Sequence, residues 1–418
     1  MNITSIKRMI LPLAVAFAAT AGAATIDHVC VRQMWPWNEK VRIDYTLSGT
    51  AGESVDVAVT IRDAQGGTLA PLGSSFSGDL NEVAPGEHVI WWNPAASGLE
   101  IGNTQLTFTL AAEVDSQRYC VIDISQENAY SVSYLAAKPA GGWTDEYKTT
   151  KIVFRHVKPG TFVMGTPEDE NGRCTESSGN IVFDMAQHKV TITKDYWLGI
   201  FPITLKQATI VNGSEYGKTS TYAANQKDAS PAVKLSATDL MGWPDNSNTS
   251  WFASPVPLEG SWLYKLNAGI TAGQIPDGTH FSLPTEAQWE YACRAGTTTA
   301  YGNGTDSIAG IGPATPATKP MYPVGGYSPN AWGFYDMHSC VWQWTIEIYS
   351  GYSKGNTAAA TDPYYAPSLS AYWLALRGGT YSTASSPSRD NRSGTRYYRT
   401  NTVIESYLGA RIALVKAP

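Results

Sequence analysis

Hydrophobic and polar residues alternate over the first quarter of the chain, in runs such as VRIDYTLSG, VDVAVTIRDAQGG, HVIWWNP and LTFTLAAEV. Gly, Asn and Pro separate these runs. A period of two with turn residues at this spacing predicts short antiparallel strands and a small all-β sandwich over residues 25–115. The second half carries a different rhythm. IVFRHVKPGTFVMG and HKVTITKDYWLGIFPIT read as strands, and ALRGGTY and YLGARIALV close the chain as two more. One helix stands out between them: Thr285 can cap it, Gln288 sits three residues on as a capping-box partner, Trp289, Ala292 and Cys293 form its apolar stripe, and Gly296 ends it. The remainder is loop rich in Gly, Asn, Ser and Tyr. Residues 116–148, containing PAGGWTDEY, read as a connecting segment because Pro and paired Gly break helix and strand alike.

The first 24 residues differ from everything after them. Lys7 and Arg8 precede an apolar run from Met9 to Ala19, and small residues follow from Ala21 to Ala24. This is the layout of a secretory signal peptide, so the expected location is secreted, periplasmic or at the cell surface. No later run reaches the roughly 18 apolar residues a bilayer requires, so no membrane span is expected. With 30 Lys and Arg against 36 Asp and Glu the net charge is −6, and removing Lys7 and Arg8 takes it to −8. No nucleic-acid partner is expected from that balance. Export also makes disulfides possible for the five cysteines. Cys30 and Cys120 could pair, leaving Cys174, Cys293 and Cys340 as an odd set. There is no Cys-x-x-Cys, His-x-x-x-His or Glu-x-x-His to support a zinc or di-iron site. PGEH before VIWWNP resembles bacterial immunoglobulin-like modules, which makes the first domain an immunoglobulin-like spacer or adhesion module.

Four segments of the second half line up in order: GTFVMG (160–165), LPTEAQWEYACRAG (283–296), NAWGFYDMHSCVWQWT (330–345), and LRGGTY with LGAR (376–381 and 408–411). Together they resemble the sulfatase-modifying-factor family, that of the formylglycine-generating enzyme, over residues 149–418. The resemblance implies an α+β fold, a C-type-lectin-like domain with much irregular loop. It also implies a structural calcium held by Asp336, the carbonyls of Ser339 and Val341, and the side chain of Gln343. The family has Glu at that last position and Gly-Asn at Ser339-Cys340. The exchange to Gln removes one charge from the set, so affinity for a hard cation should fall.

The family's oxidase chemistry uses two cysteines after the glycine pair, because thiolates hold copper(I). Aligned on Gly378 and Gly379, Thr383 falls at the first of those positions and Ser388 near the second, and no cysteine follows Cys340. A hydroxyl does not replace a thiolate, so copper is not expected as the cofactor and the reading leans away from an enzyme. A related iron-dependent branch draws its histidines largely from another domain, whereas the six here are scattered singly. His338, beside the aromatic loop, is the one to watch. Ser282 stands where the family has Arg. Glu286 and Glu290 could form an acid/base pair, but capping and salt bridges to Arg294 or the C-terminal arginines are the simpler role. Arg377, Arg392 and Arg411 fall in motif positions and read as structural. Arg396, Tyr397, Tyr398 and Arg399 are the candidate ligand-binding residues, since Tyr and Arg dominate binding hot spots. The expected function is an exported, non-catalytic module in which loops 301–326 and 380–406 bind an extracytoplasmic glycan, peptide or protein. The alternative is a divergent metal-dependent oxidase acting on an exported protein.

Overall fold

The alternating runs become strands because each can bury one face and leave the other to solvent. The computed structural model describes residues 24–416 except 35–36, 51–53, 98, 100–104, 127–128, 174–182, 219–226, 245–251, 254, 314–321, 350–356, 371 and 382–389. The signal-peptide reading of residues 1–24 therefore lies almost wholly outside the described residues. The chain divides into two compact units, residues 1–116 and 117–418.

The first unit is all β: β1 (Thr25–Gln33), β2 (Val41–Ser48), β3 (Asp56–Arg62), β4 (Phe76–Gly78), β5 (Gly86–Trp92) and β6 (Thr107–Glu113). One antiparallel sheet has the order β1-β2-β5-β4, and β3 pairs with β6 in a ribbon. On β2 the odd positions Val41, Ile43, Tyr45 and Leu47 are buried. They meet Val57, Ile61, Ile90, Trp92, Phe108 and Leu110 in one core. Each such side chain contributes about 1.5–3 kcal/mol on burial, and a one-residue slip would turn the whole row outward.

The second unit carries β7 (Tyr119–Asp123), β8 (Ser131–Leu135), β9 (Lys151–Val157), β10 (Gly160–Met164), β11 (Phe183–Asp184), β12 (His188–Ile192) and β13 (Tyr196–Gly199). After them come β14 (Thr279–Ser282), β15 (Trp342–Ile348), β16 (Ala360–Thr361), β17 (Trp373–Arg377), β18 (Thr395–Thr400), β19 (Leu408–Gly409) and β20 (Ala413–Lys416). Its main sheets run β14-β20-β13-β9-β7-β8 and β11-β18-β17-β15-β19, with a smaller β10-β12-β16. The helices are α1 (Leu205–Asn212), α2 (Ala237–Met241), α3 (Trp262–Ala268) and α4 (Glu286–Arg294). The unit is mixed α+β, with short helices and long irregular connections. Among the described residues no helix is long and apolar enough to cross a membrane.

Two expectations need correction. Residues 116–148 are not simply a connector, because Tyr119, Cys120, Val121 and Ile122 are buried and β7 lies inside the six-stranded sheet between β8 and β9. Nor do Cys30 and Cys120 pair: both are free thiols, Cys30 exposed on β1 and Cys120 sealed in the second unit's core. Cys120 lies opposite Tyr134 and Phe154 across the two flanking ladders.

Candidate functional site

Thr285 caps α4 as the sequence indicated, accepting from Gln288 N–H, while the Gln288 side chain returns to Thr285 N–H. The helix then carries Glu286 and Glu290, both fully buried, into the domain interior. Arg396 forks onto Glu286 at 2.6 and 2.5 Å. Arg377 reaches Glu286 at 3.1 Å and Glu290 at 2.5 Å. Arg294 Nε donates to Glu290 at 2.8 Å, as does Gly165 N–H. Burial alone would raise the Glu290 carboxyl; Arg294 and Arg377 outweigh it and hold the group below its ordinary value. Glu347 accepts Glu286 N–H and Tyr365 N–H, yet burial and the neighbouring Glu286 charge push it well up. Glu286 and Glu290 form a closed ion-pair lattice with Arg294, Arg377 and Arg396, and neither is exposed in the manner of an acid/base pair.

The four candidate ligand-binding residues separate, because successive residues of β18 point to opposite faces. Arg396 is a correction: it is buried and committed to Glu286. Tyr397 is buried too, stacked on Trp342 at 5.0 Å. Arg399 lies over Tyr397 at 4.3 Å and donates to Tyr407 Oη at 2.9 Å. Tyr398 is half-buried between Tyr349 at 4.6 Å and Trp373 at 5.1 Å.

The loop proposed for calcium is tight, with Asp336 and Ser339 both in the left-handed region at φ 54° and 59°. The family's Gly suits the second of these at no steric cost. Asp336 Oδ2 accepts Gly325 N–H at 2.6 Å, whereas buried Oδ1 has no partner. Burial raises this carboxyl to about 6, with the Gly325 hydrogen bond and the charges of Arg411 and Lys148 opposing the shift. Gln343 Oε1 accepts both Trp289 Nε1–H at 2.8 Å and Arg411 Nε–H at 2.9 Å, and its Nε2 donates to Asp336 O at 3.2 Å. Arg411 also donates to the carbonyls of Gly199 and Tyr335 at 2.6 Å each. Ser339 O accepts Tyr322 Oη–H at 3.3 Å, and Val341 is buried against Val233 and Tyr381. An amide oxygen with two donors has no lone pair left for a cation, and a guanidinium stands beside it. As arranged, Asp336, Ser339, Val341 and Gln343 do not fit calcium.

Gly378 and Gly379 take φ 97° and 71° in the turn after β17, and a Cβ on Gly379 would collide with Asn391. Thr383 and Ser388 lie outside the described residues. Among the described residues, Cys293 Sγ is 3.6 Å from His338 Nε2, which also accepts Gly302 N–H at 3.2 Å. His338 Nδ1 donates to Asn391 O at 2.7 Å, so the ring is neutral, and burial lowers it to about 4. Burial pushes the Cys293 thiol up to about 12, and burial with the nearby Asp336 charge raises the Cys340 thiol as well. Both are protonated, free thiols. Copper(I) wants thiolates, so the residues here do not fit it either. Among the described residues no three His, Cys, Asp or Glu side chains gather as a metal set.

Sequence reasoning missed a cavity of about 50 Å³ beside the start of α4, lined in part by His280, Ser282, Leu283, Gln288 and Val415. It also missed the exposure of Tyr372 and Trp373, because two aromatics in a strand-like run read as core.

This combination of motif loops, α4 lattice and glycine-pair turn defines an α+β domain of the formylglycine-generating type. The chain belongs to the sulfatase-modifying factor enzyme 1-like family, whose model matches residues 144–416. Among solved structures, PvdO from Pseudomonas aeruginosa is 22% identical, with 63% of this chain and 94% of that chain covered and a TM-score of 0.45. Treponema denticola variable protein 1 is 18% identical, with 63% and 95% covered and a TM-score of 0.45. Comparison with curated proteins gives no match.

Proposed function

We propose that this chain is an exported, non-catalytic binding protein whose family domain has lost oxidase chemistry. The observation that carries the reading is the replacement of the cysteine pair by Thr383 and Ser388, with no cysteine after Cys340. A soft-metal oxygen centre needs thiolates, and the two buried thiols near the glycine-pair turn are held protonated. The α4 carboxylates Glu286 and Glu290 are consumed by arginines, which takes both out of use as an acid/base pair. In this reading the signal peptide directs export, the first unit is an immunoglobulin-like spacer, and the second presents a surface to an extracytoplasmic ligand.

The test is incubation of the mature chain with copper, oxygen and a Cys-x-Pro-x-Arg peptide. The expected result is an unchanged peptide mass. Conversion of the cysteine to formylglycine overturns the proposal.

A further inference from the structure

The capping box that starts α4 uses up acceptors and leaves donors over. Thr285 Oγ accepts Gln288 N–H at 3.1 Å and Gln288 Oε1 accepts Thr285 N–H at 3.0 Å, so both side-chain oxygens serve the helix end. Neither the Thr285 hydroxyl proton nor the Gln288 Nε2 protons reach an acceptor among the described residues. Both side chains line the cavity beside that helix end. Ser282, only 2% exposed, lines it too, and its hydroxyl has no better partner than the Met241 thioether at 3.6 Å. Polar groups left in this state around a hollow call for water or a ligand. About 50 Å³ of the cavity can hold the centre of a water molecule, and all the space between its walls, out to the open mouth, comes to about 610 Å³. That is the scale of a small-molecule pocket. The buried aliphatic side chains of Ile192, Leu283, Ile346 and Val415 supply apolar wall.

We propose that this cavity binds a small carboxylate with an apolar body, its head accepting from Gln288 Nε2–H and the Thr285 hydroxyl beside Lys416, its body against the aliphatic wall. The site goes beyond the binding-protein reading above and does not depend on it. The formal charges of the lining, Lys194 and Lys416 against Asp195 and Asp362, cancel, so the ligand is selected by which groups are already engaged. Asp362 takes Thr193 N–H at 2.7 Å on one oxygen and the Thr193 hydroxyl on the other. Asp195 takes His156 Nε2 at 3.3 Å on one oxygen and faces Lys416 with the other. A cationic ligand therefore finds both carboxylates occupied. His280 donates Nε2–H to Pro255 O at 3.3 Å, and burial lowers its pKa, so it is neutral at pH 7 and adds no charge of its own. Lys416 is half-exposed and lies 4.0 Å from Asp195, beyond hydrogen-bond reach, which leaves its ammonium available to an acceptor. The unengaged groups are thus donors, and charge-assisted hydrogen bonds to a carboxylate are the strongest use of them. A bare inorganic anion would leave the aliphatic wall in water, so the head carries an apolar body.

The experiment titrates the mature chain by calorimetry with acetate, hexanoate, phenylacetate, phenylacetamide and phenylethylamine, and with a short peptide ending in Phe, as free acid and as amide. Hexanoate or phenylacetate is expected to bind, acetate more weakly for want of the body. Phenylacetamide and phenylethylamine should bind at least about tenfold more weakly than phenylacetate, as loss of a hydrogen-bonded charge implies. Gln288→Glu keeps an oxygen for the capping box and exchanges the donor for a carboxylate, and should weaken binding at least about tenfold. Lys416→Met, at a half-exposed position, should cost about threefold and reads the same site if the first variant does not fold. Binding of the free acids alone makes the source a small molecule, and binding of the Phe-ended acid but not its amide makes it a polypeptide C-terminus; both uphold the proposal. It is overturned if no acid binds, if the amide or amine binds as tightly as the acid, or if both variants bind normally. Peptide oxidation would sink the non-catalytic reading without touching this site, and a failure here leaves that reading standing.

Discussion

Glu290 and Asp336 are buried alike, but they meet opposite fates. Glu290 faces two guanidiniums and a backbone N–H, and its charge is held. Asp336 faces one backbone N–H, keeps an oxygen without a partner, and is pushed toward its protonated form. The nearest strong cation, Arg411, spends its donors on Gln343 and two carbonyls. A buried carboxylate is thus as stable as the donors aimed at it, and depth alone says little.

The harshest way to break the contrast is Glu290→Ala, which strands Arg294 and Arg377 without their shared carboxylate. The expected loss is about 4 kcal/mol by urea denaturation, and a loss below about 1 kcal/mol would show that the lattice is not what holds the core. Next is Arg411→Met, which leaves the carbonyls of Gly199 and Tyr335 and the Gln343 oxygen short of donors. It should cost about 3 kcal/mol in the same assay.

The third prediction uses pH. Asp336 has a folded value near 6, above the roughly 3.9 of an unfolded Asp. The folded state therefore binds the proton more tightly, so stability from this group is greatest below about pH 4, falls as pH rises to about 6, and is flat beyond. Asp336→Asn should remove a decline on the order of 3 kcal/mol across that window. Glu290, held low, acts in the other direction: its contribution is present above about pH 4.3 and is lost as pH falls through its depressed folded value. Glu347, raised like Asp336, adds to the decline and keeps a residual slope in Asp336→Asn. An unchanged pH profile in that variant would remove Asp336 as its source.

The smallest effect concerns calcium. The melting temperature of the wild-type chain should be the same in millimolar calcium and in EDTA, because the Gln343 oxygen is already shared by Trp289 and Arg411. Gln343→Glu restores a carboxylate to the loop and should bring a measurable calcium dependence. A clear calcium shift in the wild type would reverse the fit drawn for this loop.

Much of the fold was readable along the chain. The β2 alternation VRIDYTLS is a direct record of which side chains face the core, and α4 announced itself with a cap, an apolar stripe and a stop. The other helices did not, although Thr204 with Gln207 and Ser236 with Asp239 form complete capping boxes. At eight residues or fewer, they offer barely two turns of periodicity to detect. The β7 strand was hidden by the glycines and proline of the segment around it.

The site was less legible. Spacing placed Arg396, Tyr397, Tyr398 and Arg399 together, but a strand sends neighbours to opposite faces, and only the partner elements decide which face is buried. Exposure of Trp373 was likewise invisible, since a tryptophan beside Leu374 and Leu376 looks like core until the sheet's edge is known.

The sequence by itself determined the family motifs, the missing cysteine pair and the balance of charges, because these depend only on which residues are present and in what order. The tertiary structure alone decided that Arg396 belongs to Glu286, that Arg411 occupies the Gln343 oxygen, and that Asp336 is left with an unmatched oxygen. Those pairings join positions 68 to 110 residues apart in the chain, and they form only when packing brings the groups within hydrogen-bond reach and excludes the water that would otherwise satisfy each one separately.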